Sequence, residues 1–478
     1  MNRAVTVEQM RAAEAVAIAQ VGDDALMQRA AAGLAGVVGR EVRARAGKVA
    51  GTTVLVLVGT GNNGGDGLFA GMRLARRGVR VLAVRAGLVH ERGWQALMGA
   101  GGREVSGVQA LAALRGGRVD LVVDAILGIG GRPGLRAPWD DFARVLADIW
   151  VPVVACDLPS GVCADPPFGV SEGAVYVRAD VTVTFGERKL CHIVEPARSA
   201  CGRVEVIDIG LGDCPATVLA WEPGDVAAVW PVPGVSSDKY ARGVVGVDAG
   251  SARYPGAGVL ACTGAVYAGA GMVRYTGASQ VASRVVEALP NVVVGDGRVQ
   301  ARVLGCGWGE RTYGEGVVAQ AVESGVPLVV DADGLRYLPA RAHPGVLLTP
   351  HAGELARLLD ASRDEVEADP LAAVHEAADR LGATVLLKGS TQMVASPGDD
   401  AVHVAVPGPA WTAQAGSGDV LAGVCGALLA AGLSATDAAL AAASLQAMTA
   451  ASHPGPLPPQ ELARWFQETI AGLAATDC

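Results

Sequence analysis

Ala-Gly-Ser-Gly-Asp at 415–419 leads into the Ala/Leu-rich stretch VLAGVCGALLAAG (420–432), and this junction decides the fold of the C-terminal half. Small residues before a long apolar stretch predict a helix, here from Asp419 to about Ala431. The free N–H groups of residues 416–418 would form an anion-binding site at its start. Asp419 could cap this helix, or it could act as a general base while the helix end stabilises a transferring phosphoryl group.

Three strand patterns upstream of this helix end in polar clusters, in VVDADG (329–334), LLTPHAGE (347–354) and LLKGST (386–391). Ligands of open parallel sheets lie beyond the carboxyl ends of the strands, so these clusters predict one shared site. The turn after Lys388 suits a nucleotide. His351, beside a proline, could be structural or could contact the ligand together with Glu354. The predicted strands and second helix of this half are Val244–Asp248, Val326–Asp331, Val346–Thr349, Thr384–Lys388 and Ser434–Ala451.

The first half of the chain alternates β-branched apolar runs with Ala-rich helical stretches, which predicts βαβ units and a mostly parallel sheet. Three prolines between Pro223 and Pro233 mark a boundary near Glu222–Val235. We therefore predict an α/β protein of two fused domains, with a first domain over 1–215, a linker over 216–235 and a second domain over 236–478. The predicted strands of the first half are Thr53–Val58, Arg80–Val84, Leu121–Asp124, Val151–Asp157 and Val181–Phe185.

A glycine-rich turn follows the first of these strands in VLVLVGTGNNGGDG (54–67). Its glycines are expected to adopt positive φ, and a helix beginning near Asp66 would direct free N–H groups at an anion. The turn lacks the Gly-x-Gly-x-x-Gly fingerprint with an acidic residue about 20 positions later. It could be a plain strand-to-helix connection, but the adjacent amides of Asn62 and Asn63 favour a bound ligand.

Two further strands end in aspartates, in VVDAILGIG (122–130) and VVACDLPSG (153–161). Asp124, Asp157 and Ser160 could therefore converge with Asn63 at one sheet edge. Oxygen ligands of this kind suit a hard cation. Each aspartate taken alone could equally cap a helix.

The composition of the 478-residue chain narrows the class of protein. A net charge of -9 and the lack of a Lys/Arg run argue against nucleic-acid binding. Nine cysteines without a Cys-x-x-Cys pair argue against a disulfide framework and a zinc site. We find neither a signal-peptide pattern nor an apolar run of about 20 residues, so we expect a cytoplasmic protein with no membrane partner.

The motifs GNNGGDG, DAILGIG and DLPSG, followed by Lys189 in TFGERKLCH, resemble the NAD(P)H-hydrate epimerase family over residues 1 to about 212. The resemblance implies a Rossmann-like three-layer αβα sandwich. It also implies a K⁺ ion held by Asn63, Asp124 and Ser160. After Lys189 the chain departs from the family, because it reads Leu-Cys-His in place of a glycine-containing turn.

The same resemblance implies that Asp157 and Lys189 do the acid/base work of epimerisation. The hydrate-binding residues that it implies are Asn62, Asn63, Gly64, Gly65, Asp66, Gly128, Ile129, Gly130, Gly131, Arg132, Pro133, Gly134 and Asp157.

In the second half, KYARG (239–243), YPGA (254–257), GCGWG (305–309) and TPHAGE (349–354) resemble the ribokinase-like superfamily, and more closely its NAD(P)H-hydrate dehydratase branch, over about 236–470. The resemblance implies a ribokinase-like αβα domain that uses Mg²⁺ and ADP or ATP, and we adopt ADP. GCGWG departs from the usual Gly-Pro-Gly-x-Gly, and Gly-Ser-Thr after Lys388 replaces Gly-Ala-Gly. The implied hydrate contacts are Ala257, Gly309, His351 and Asp419, and the implied nucleotide contacts are Lys388, Gly389, Ser390, Thr391, Gln392 and Gly418.

Together the two resemblances imply one repair enzyme, a homo-oligomer, with two activities. It would interconvert the S and R forms of NADHX and NADPHX and dehydrate the hydrate to NAD(P)H, releasing AMP and phosphate when ADP is used. One alternative is a small-molecule kinase for a vitamin or a sugar, and another is a nucleotide-dependent sensor without turnover. The sequence leaves open ADP or ATP, NADHX or NADPHX, and ring opening or dehydration and rehydration as the path of epimerisation.

Overall fold

The computed structural model describes residues 1–168 and 173–474, and the chain divides into two compact units. One unit comprises Arg3–Thr217, and the other comprises the chain from Val218 onward together with Met1–Asn2. None of the helices in the described residues is long and apolar enough to cross a membrane.

The described residues of the N-terminal unit form nine strands and seven α-helices. Its strands are β1 (Asn2–Val5), β2 (Thr53–Val58), β3 (Arg80–Arg85), β4 (Arg103–Glu104), β5 (Leu121–Ala125), β6 (Val153–Cys156), β7 (Val181–Phe185), β8 (Arg188–Lys189) and β9 (Arg203–Ile207). Its helices are α1 (Val7–Val21), α2 (Asp23–Ala46), α3 (Asn62–Ala75), α4 (Glu91–Gly99), α5 (Gly107–Arg115), α6 (Trp139–Asp148) and α7 (Arg198–Cys201).

Seven of these strands form a parallel sheet in the order β4-β3-β2-β5-β6-β7-β9. Because side chains alternate along a strand, Val54, Val56 and Val58 pack with α2, α3 and α4, while Leu55 and Leu57 pack with α5 and α6 on the other face. This arrangement confirms the predicted three-layer αβα sandwich. All five predicted strands are present, and β2 and β7 have the predicted bounds.

The C-terminal unit contains ten strands and eleven helices within the described residues. Its strands are β10 (Val218–Ala220), β11 (Val244–Asp248), β12 (Met272–Tyr275), β13 (Val293–Val294), β14 (Ala301–Leu304), β15 (Leu328–Val330), β16 (Val346–Leu348), β17 (Thr384–Leu387), β18 (Met393–Ala395) and β19 (Val402–Val404). Its helices are α8 (Pro223–Val229), α9 (Pro255–Tyr267), α10 (Ser279–Ala288), α11 (Gly314–Glu323), α12 (Ala352–Leu359), α13 (Arg363–Ala368), α14 (Pro370–Leu381), α15 (Ser417–Ala430), α16 (Ala435–Ser452), α17 (Pro459–Arg464) and α18 (Phe466–Ala474).

Strands β13-β12-β11-β14-β15-β16-β17 are parallel neighbours, and β18 and β19 extend the sheet antiparallel, with β10 parallel to β19. Residues 216–235, predicted to be a linker, include β10 and α8 and therefore contribute elements to this unit. Residues 475–478 of the predicted second domain lie outside the described residues. The predicted domain limits themselves stay a proposal.

Helices α9 and α15 pack backbone against backbone on this sheet. A Cβ atom on Gly264 of α9 would overlap the Val420 carbonyl oxygen, and one on Gly423 of α15 would overlap the Ala261 carbonyl oxygen. The Ala/Gly-rich sequence of α15 is therefore required for this close approach. The helix that carries Asp419 is anchored along its length against α9.

Candidate active sites

The glycine-rich turn of the N-terminal unit differs from the expectation in two ways. Helix α3 begins at Asn62 rather than near Asp66, so both asparagines lie in its first turn. The five turn glycines do not adopt positive φ. Close packing requires glycine at two of them instead, because a Cβ atom on Gly59 would overlap the Ile126 carbonyl oxygen and one on Gly64 would overlap the carbonyl oxygen of Gly59, whereas one on Gly61 would meet open space. The turn glycines are Gly59, Gly61, Gly64, Gly65 and Gly67.

Asp157 and Lys189 form a buried ion pair beyond the carboxyl ends of β6 and β7. The Lys189 ammonium donates hydrogen bonds to Asp157 Oδ1 (2.7 Å), Thr184 Oγ1 (2.9 Å) and the Phe185 carbonyl oxygen (3.1 Å). Burial raises the pKa of Asp157, but the Lys189 ammonium outweighs burial and holds this pKa below its ordinary value. Asp157 is therefore a carboxylate at neutral pH, beside an ammonium whose three hydrogens all have acceptors.

His192 fixes the backbone on both sides of this pair, although the sequence analysis did not include it in the site. The Lys189 N–H donates to His192 Nδ1 (3.0 Å), so Nε2 carries the ring hydrogen and faces the Asp157 carbonyl oxygen at 3.0 Å. Asp157 has φ 68, a left-handed conformation that is costly for a non-glycine residue. The Leu-Cys-His departure after Lys189 was the signal that could have identified His192.

Asp66 and Glu14 add two carboxyl groups to the same site. Burial raises the pKa of Asp66 well above its ordinary value, and the charges of Asp157 and Glu14 raise it further. Burial also raises the pKa of Glu14 on α1, against the opposing charge of Lys189. The pKa of Asp157 is lowered and that of Asp66 is raised, the opposite shifts that suit general acid/base catalysis.

The predicted K⁺ ligands lie at the carboxyl ends of β2, β5 and β6, three neighbouring strands. Asp124 Oδ1 accepts a hydrogen bond from Ser160 Oγ (2.6 Å), and Oδ2 accepts one from the Ser160 N–H (2.8 Å). Burial raises the pKa of Asp124 to about 6. Within the described residues, both polar side-chain atoms of Asn63 are buried without a hydrogen-bond partner. An unpaired buried amide is costly, so Asn63 fits a site whose bound cation satisfies its oxygen.

The predicted hydrate loop, Gly128–Gly134, borders both groups of residues. A Cβ atom on Gly128 would lie 3.3 Å from Asn63 Oδ1 and 3.3 Å from Asp157 Oδ2. The structure therefore brings the cation and acid/base candidates together at this loop. The outer part of the loop, around Arg132, is exposed, and the Gly134 N–H donates to the Gly161 carbonyl oxygen (2.9 Å).

In the C-terminal unit, α15 begins at Ser417, directly after Gly416, whose φ is 89. Asp419 lies in the first turn of α15, at the predicted anion-binding helix start. Burial raises the pKa of Asp419 to about 6, and the nearby Asp331 carboxylate contributes to the shift. Asp419 thus changes charge close to neutral pH, which suits a general base.

Asp331 is the central carboxylate of this second site, and the sequence analysis named it only as a strand end. Its Oδ1 accepts hydrogen bonds from Lys388 Nζ (2.6 Å) and Thr349 Oγ1 (2.8 Å), and its Oδ2 accepts one from Cys306 Sγ (3.5 Å). Burial lowers the pKa of Lys388, but the Asp331 carboxylate outweighs burial and the net shift is upward. The ligand atoms of Cys306, Asp331 and Asp419 all lie within 4.8 Å of one another.

His351 combines a structural position with an exposed ring. Its Nδ1 accepts hydrogen bonds from the N–H groups of Gly353 (3.1 Å) and Glu354 (3.3 Å), which caps α12, while Nε2 lies 3.3 Å from Glu354 Oε1. The imidazole is 56% exposed, so Nε2 can also reach a ligand. His351 pairs in a β-bridge with Lys388, the first residue of the predicted nucleotide turn.

The remaining predicted contacts lie at the ends of neighbouring strands or helices of the same unit. The Gly309 N–H donates to Asp333 Oδ2 (2.8 Å), and a Cβ atom on Gly307 would contact Ala257. A Cβ atom on Gly418 would lie 3.2 Å from Lys388 Nζ. In the predicted nucleotide turn, Gly389 and Ser390 are exposed, while Thr391 and Gln392 are half-buried.

Comparisons with known proteins show the family to which each half of the chain belongs. Residues 23–191 match the family model described as YjeF-related protein N-terminus, and residues 245–459 match the model described as NAD(P)H-hydrate dehydratase. The Bifunctional NAD(P)H-hydrate repair enzyme Nnr of Mycobacterium tuberculosis is 44% identical over 453 residues, which are 92% of this chain and 91% of that protein. This chain belongs to the bifunctional NAD(P)H-hydrate repair enzymes. The Mycobacterium leprae member is also 44% identical, over 475 residues, or 95% of this chain and 96% of that protein.

Among solved structures, this NAD(P)H-hydrate repair enzyme is similar to the ADP/ATP-dependent NAD(P)H-hydrate dehydratase from Bacillus subtilis, which was co-crystallised with ATP and Mg²⁺. The two are 25% identical with a TM-score of 0.50, and the match covers 53% of this chain and 98% of that one. The predicted ribokinase-like fold of the second half is confirmed. Family membership also supports the repair enzyme over the kinase and the sensor that the sequence left open.

Proposed function

We propose that the N-terminal unit interconverts the S and R hydrates of NADH and NADPH, and that the C-terminal unit dehydrates the hydrate to NAD(P)H with ADP or ATP. The observation that carries this proposal is the presence of two separate acid/base sites in one chain of the bifunctional family. One site contains Asp157 and Lys189, and the other contains Asp419 at the start of α15. An epimerase supplies whichever epimer the dehydratase can use.

In the epimerase site, the residues suit reversible proton transfer near the hydrated ring carbon. Asp157 is held as a carboxylate, and its Oδ2 faces the Gly128 loop, so it is placed to accept a proton. Lys189 and His192 orient Asp157, because their hydrogen-bonding groups are already engaged. Asp66, whose pKa burial raises, is the complementary acid.

The oxygens of Asn63, Asp124 and Ser160 would hold the K⁺ ion that the epimerase resemblance implies. They are hard ligands, and the Asn63 amide has no hydrogen-bond partner among the residues that the structure describes. The ion would supply positive charge beside the Gly128 loop and fix its position. The protein contributes the carboxylate of Asp124, which is fully buried.

In the dehydratase site, Asp419 would accept the proton of the hydrate's hydroxyl as that oxygen takes a phosphoryl group. The N–H groups at the start of α15 would stabilise the transferring phosphoryl oxygens. Phosphorylation makes the hydroxyl a good leaving group; it departs as phosphate, the adjacent ring carbon loses a proton, and the carbon–carbon double bond of the reduced nicotinamide ring is restored. When ADP is the donor, the products are AMP and phosphate.

Lys388 and the turn that follows it would bind the nucleotide. Mg²⁺ usually binds through one or two carboxylates and the phosphates of the substrate, and Asp333 is a suitable carboxylate at this edge. We adopt ADP as the preferred donor. A homo-oligomer, a cytoplasmic location and the domain limits 1–215 and 236–478 remain part of the same proposal.

The experiment that tests the proposal incubates the purified chain with mixed NADH hydrate epimers, Mg²⁺, K⁺ and ADP or ATP, and follows absorbance of NADH. Complete, nucleotide-dependent return of NADH is expected. The Asp157→Asn variant should return only the fraction that the dehydratase uses directly. Absence of return with either nucleotide, together with phosphorylation of an added vitamin or sugar, would favour the kinase instead.

A further inference from the structure

Helix α1 lies against the hydrate loop of the N-terminal unit, although the family model begins only at residue 23. The Val7 N–H donates to Asp165 Oδ2 (2.9 Å), which fixes the start of α1. Met10 is fully buried in a small cluster, and Ile129 of the hydrate loop packs against that cluster. Helix α1 therefore forms a wall of the proposed epimerase site.

Arg11 extends from this wall toward the hydrate loop. A Cβ atom on Gly130 would lie 3.8 Å from Arg11 Nη2. Glu14 and Asp165 are close enough to interact electrostatically with Arg11, yet in residues 1–168 and 173–474 its guanidinium makes neither a hydrogen bond nor an ion pair. An exposed guanidinium beside a substrate loop is therefore free to bind a ligand.

The carboxyl groups of the site explain why binding of an anionic substrate needs a positively charged side chain there. Asp66, Asp157 and Glu14 lie close together, and Lys189 already uses its three hydrogens within the protein. A dinucleotide hydrate carries a negatively charged diphosphate, which the Asp157 carboxylate would repel. Arg11 places a permanent positive charge on the side of the loop that faces α1.

We propose that Arg11 binds the diphosphate of the NAD(P)H hydrate, so that α1 is part of the epimerase site. The proposal rests on the function proposed above. A guanidinium forms paired hydrogen bonds to phosphate oxygens, which a lysine ammonium does not reproduce. Arg11 binds and orients the substrate, and it takes no part in the proton transfer.

The test measures interconversion of separated NADH hydrate epimers by chromatography, with K⁺ present and nucleotide omitted so that dehydration does not proceed. For Arg11→Ala we expect KM to rise about 10- to 100-fold, the loss typical of a hydrogen bond to a charged group, with a smaller change in kcat. Arg11→Lys should be intermediate. Inorganic pyrophosphate should inhibit the unaltered chain competitively and the Arg11→Ala variant more weakly.

Arg115→Ala is the matched control, because Arg115 is an exposed arginine in the last turn of α5. Helix α5 leads into the start of β5, so Arg115 lies at the sheet edge opposite the site. Its KM should be unchanged, and nucleotide-dependent dehydration should be unchanged in every variant. An unaltered KM in Arg11→Ala, or a loss of kcat alone, overturns the inference. If the unaltered chain does not interconvert the epimers, the proposed epimerase function fails instead.

Discussion

The Lys189 ammonium lies 2.7 Å from the Asp157 carboxylate, and the Lys189 side chain is 1% exposed. Removing two charges from water is costly, so such a pair is retained only where geometry and further hydrogen bonds offset that cost. Thr184 and the Phe185 carbonyl supply those hydrogen bonds. The pair holds a carboxylate ready for proton transfer in an otherwise acidic site.

Replacing Asp157 by Asn should separate the two activities. We expect epimer interconversion to fall about 100- to 10,000-fold, the usual contribution of a positioned acid or base, while dehydration of the usable epimer is retained. Chromatography of the epimers and NADH absorbance measure the two rates on the same sample. Equal loss of both rates would contradict two independent sites.

The Lys189→Met variant tests how much the Asp157–Lys189 ion pair contributes to the free energy of unfolding. An unpaired buried carboxylate should lower the free energy of unfolding of the N-terminal unit by about 3–5 kcal/mol. Combining Lys189→Met with Asp157→Asn removes both charges and should recover part of that loss. Urea unfolding followed by fluorescence provides the measurement, and a double variant as unstable as Lys189→Met would argue against the charge as the cause.

The raised pKa of Asp419 should determine how the kcat/KM for dehydration decreases at acidic pH. Burial and Asp331 raise its pKa to about 6, and a general base works only when ionised. The kcat/KM for dehydration should therefore decrease as pH falls through about 6, and Asp419→Asn should remove the activity rather than shift the limb. A profile that stays flat between pH 7 and pH 5 would contradict this assignment.

Asn63 predicts a stabilising effect of potassium. An ion that binds the folded state at 100 times its Kd adds about 2.7 kcal/mol to the free energy of unfolding. Potassium chloride should therefore raise the melting temperature of the N-terminal unit above that in lithium chloride of equal ionic strength. Asn63→Ala should abolish this difference, and Asn62→Ala, which alters the adjacent exposed amide, should keep it. Equal melting in both salts would argue against the potassium site.

Variants of Lys388 and Asp331 should change the free energy of unfolding and the nucleotide KM independently. Lys388→Met leaves Asp331 buried and unpaired, which should cost about 3–5 kcal/mol of unfolding free energy. Adding Asp331→Asn should restore most of that stability, but the nucleotide KM should stay raised because the ammonium is still missing. If the nucleotide KM of the double variant returns to that of the unaltered chain, Lys388 stabilises the fold and does not bind the nucleotide.

Much of the fold was predictable because its central strands are runs of apolar and β-branched residues. β2, β7 and β11 have the predicted bounds, and Asp124 and Asp157 were identified because they end or directly follow such runs. β12 and β14 were not predicted, since each contains an arginine that interrupts a run of only four residues. Their pairing depends on the neighbouring strands, which local sequence does not encode.

The site residues that the sequence analysis missed share one property: each is hydrogen-bonded to a residue that is far from it in the sequence. Asp331 lies 57 residues from Lys388 in sequence, and the contact exists because β15, β16 and β17 are neighbours. His192 bonds to Asp157 across 35 residues in the same way. The positive φ expected of Gly59 and Gly64 was wrong for a related reason, because contacts with Ile126 and within the turn, rather than torsion angles, exclude a side chain there.

The glycine contact between α9 and α15 restricts how the dehydratase unit can move. With Gly264 and Gly423 pressed against opposing carbonyls, α15 cannot slide along α9 without steric collision. Any closure around a nucleotide must then come from the turns at the strand ends, while α15 serves as a stationary reference for Asp419. In native-state hydrogen exchange, the amides of α9 and α15 should exchange among the slowest in this unit, and binding should protect the turn after Lys388 instead.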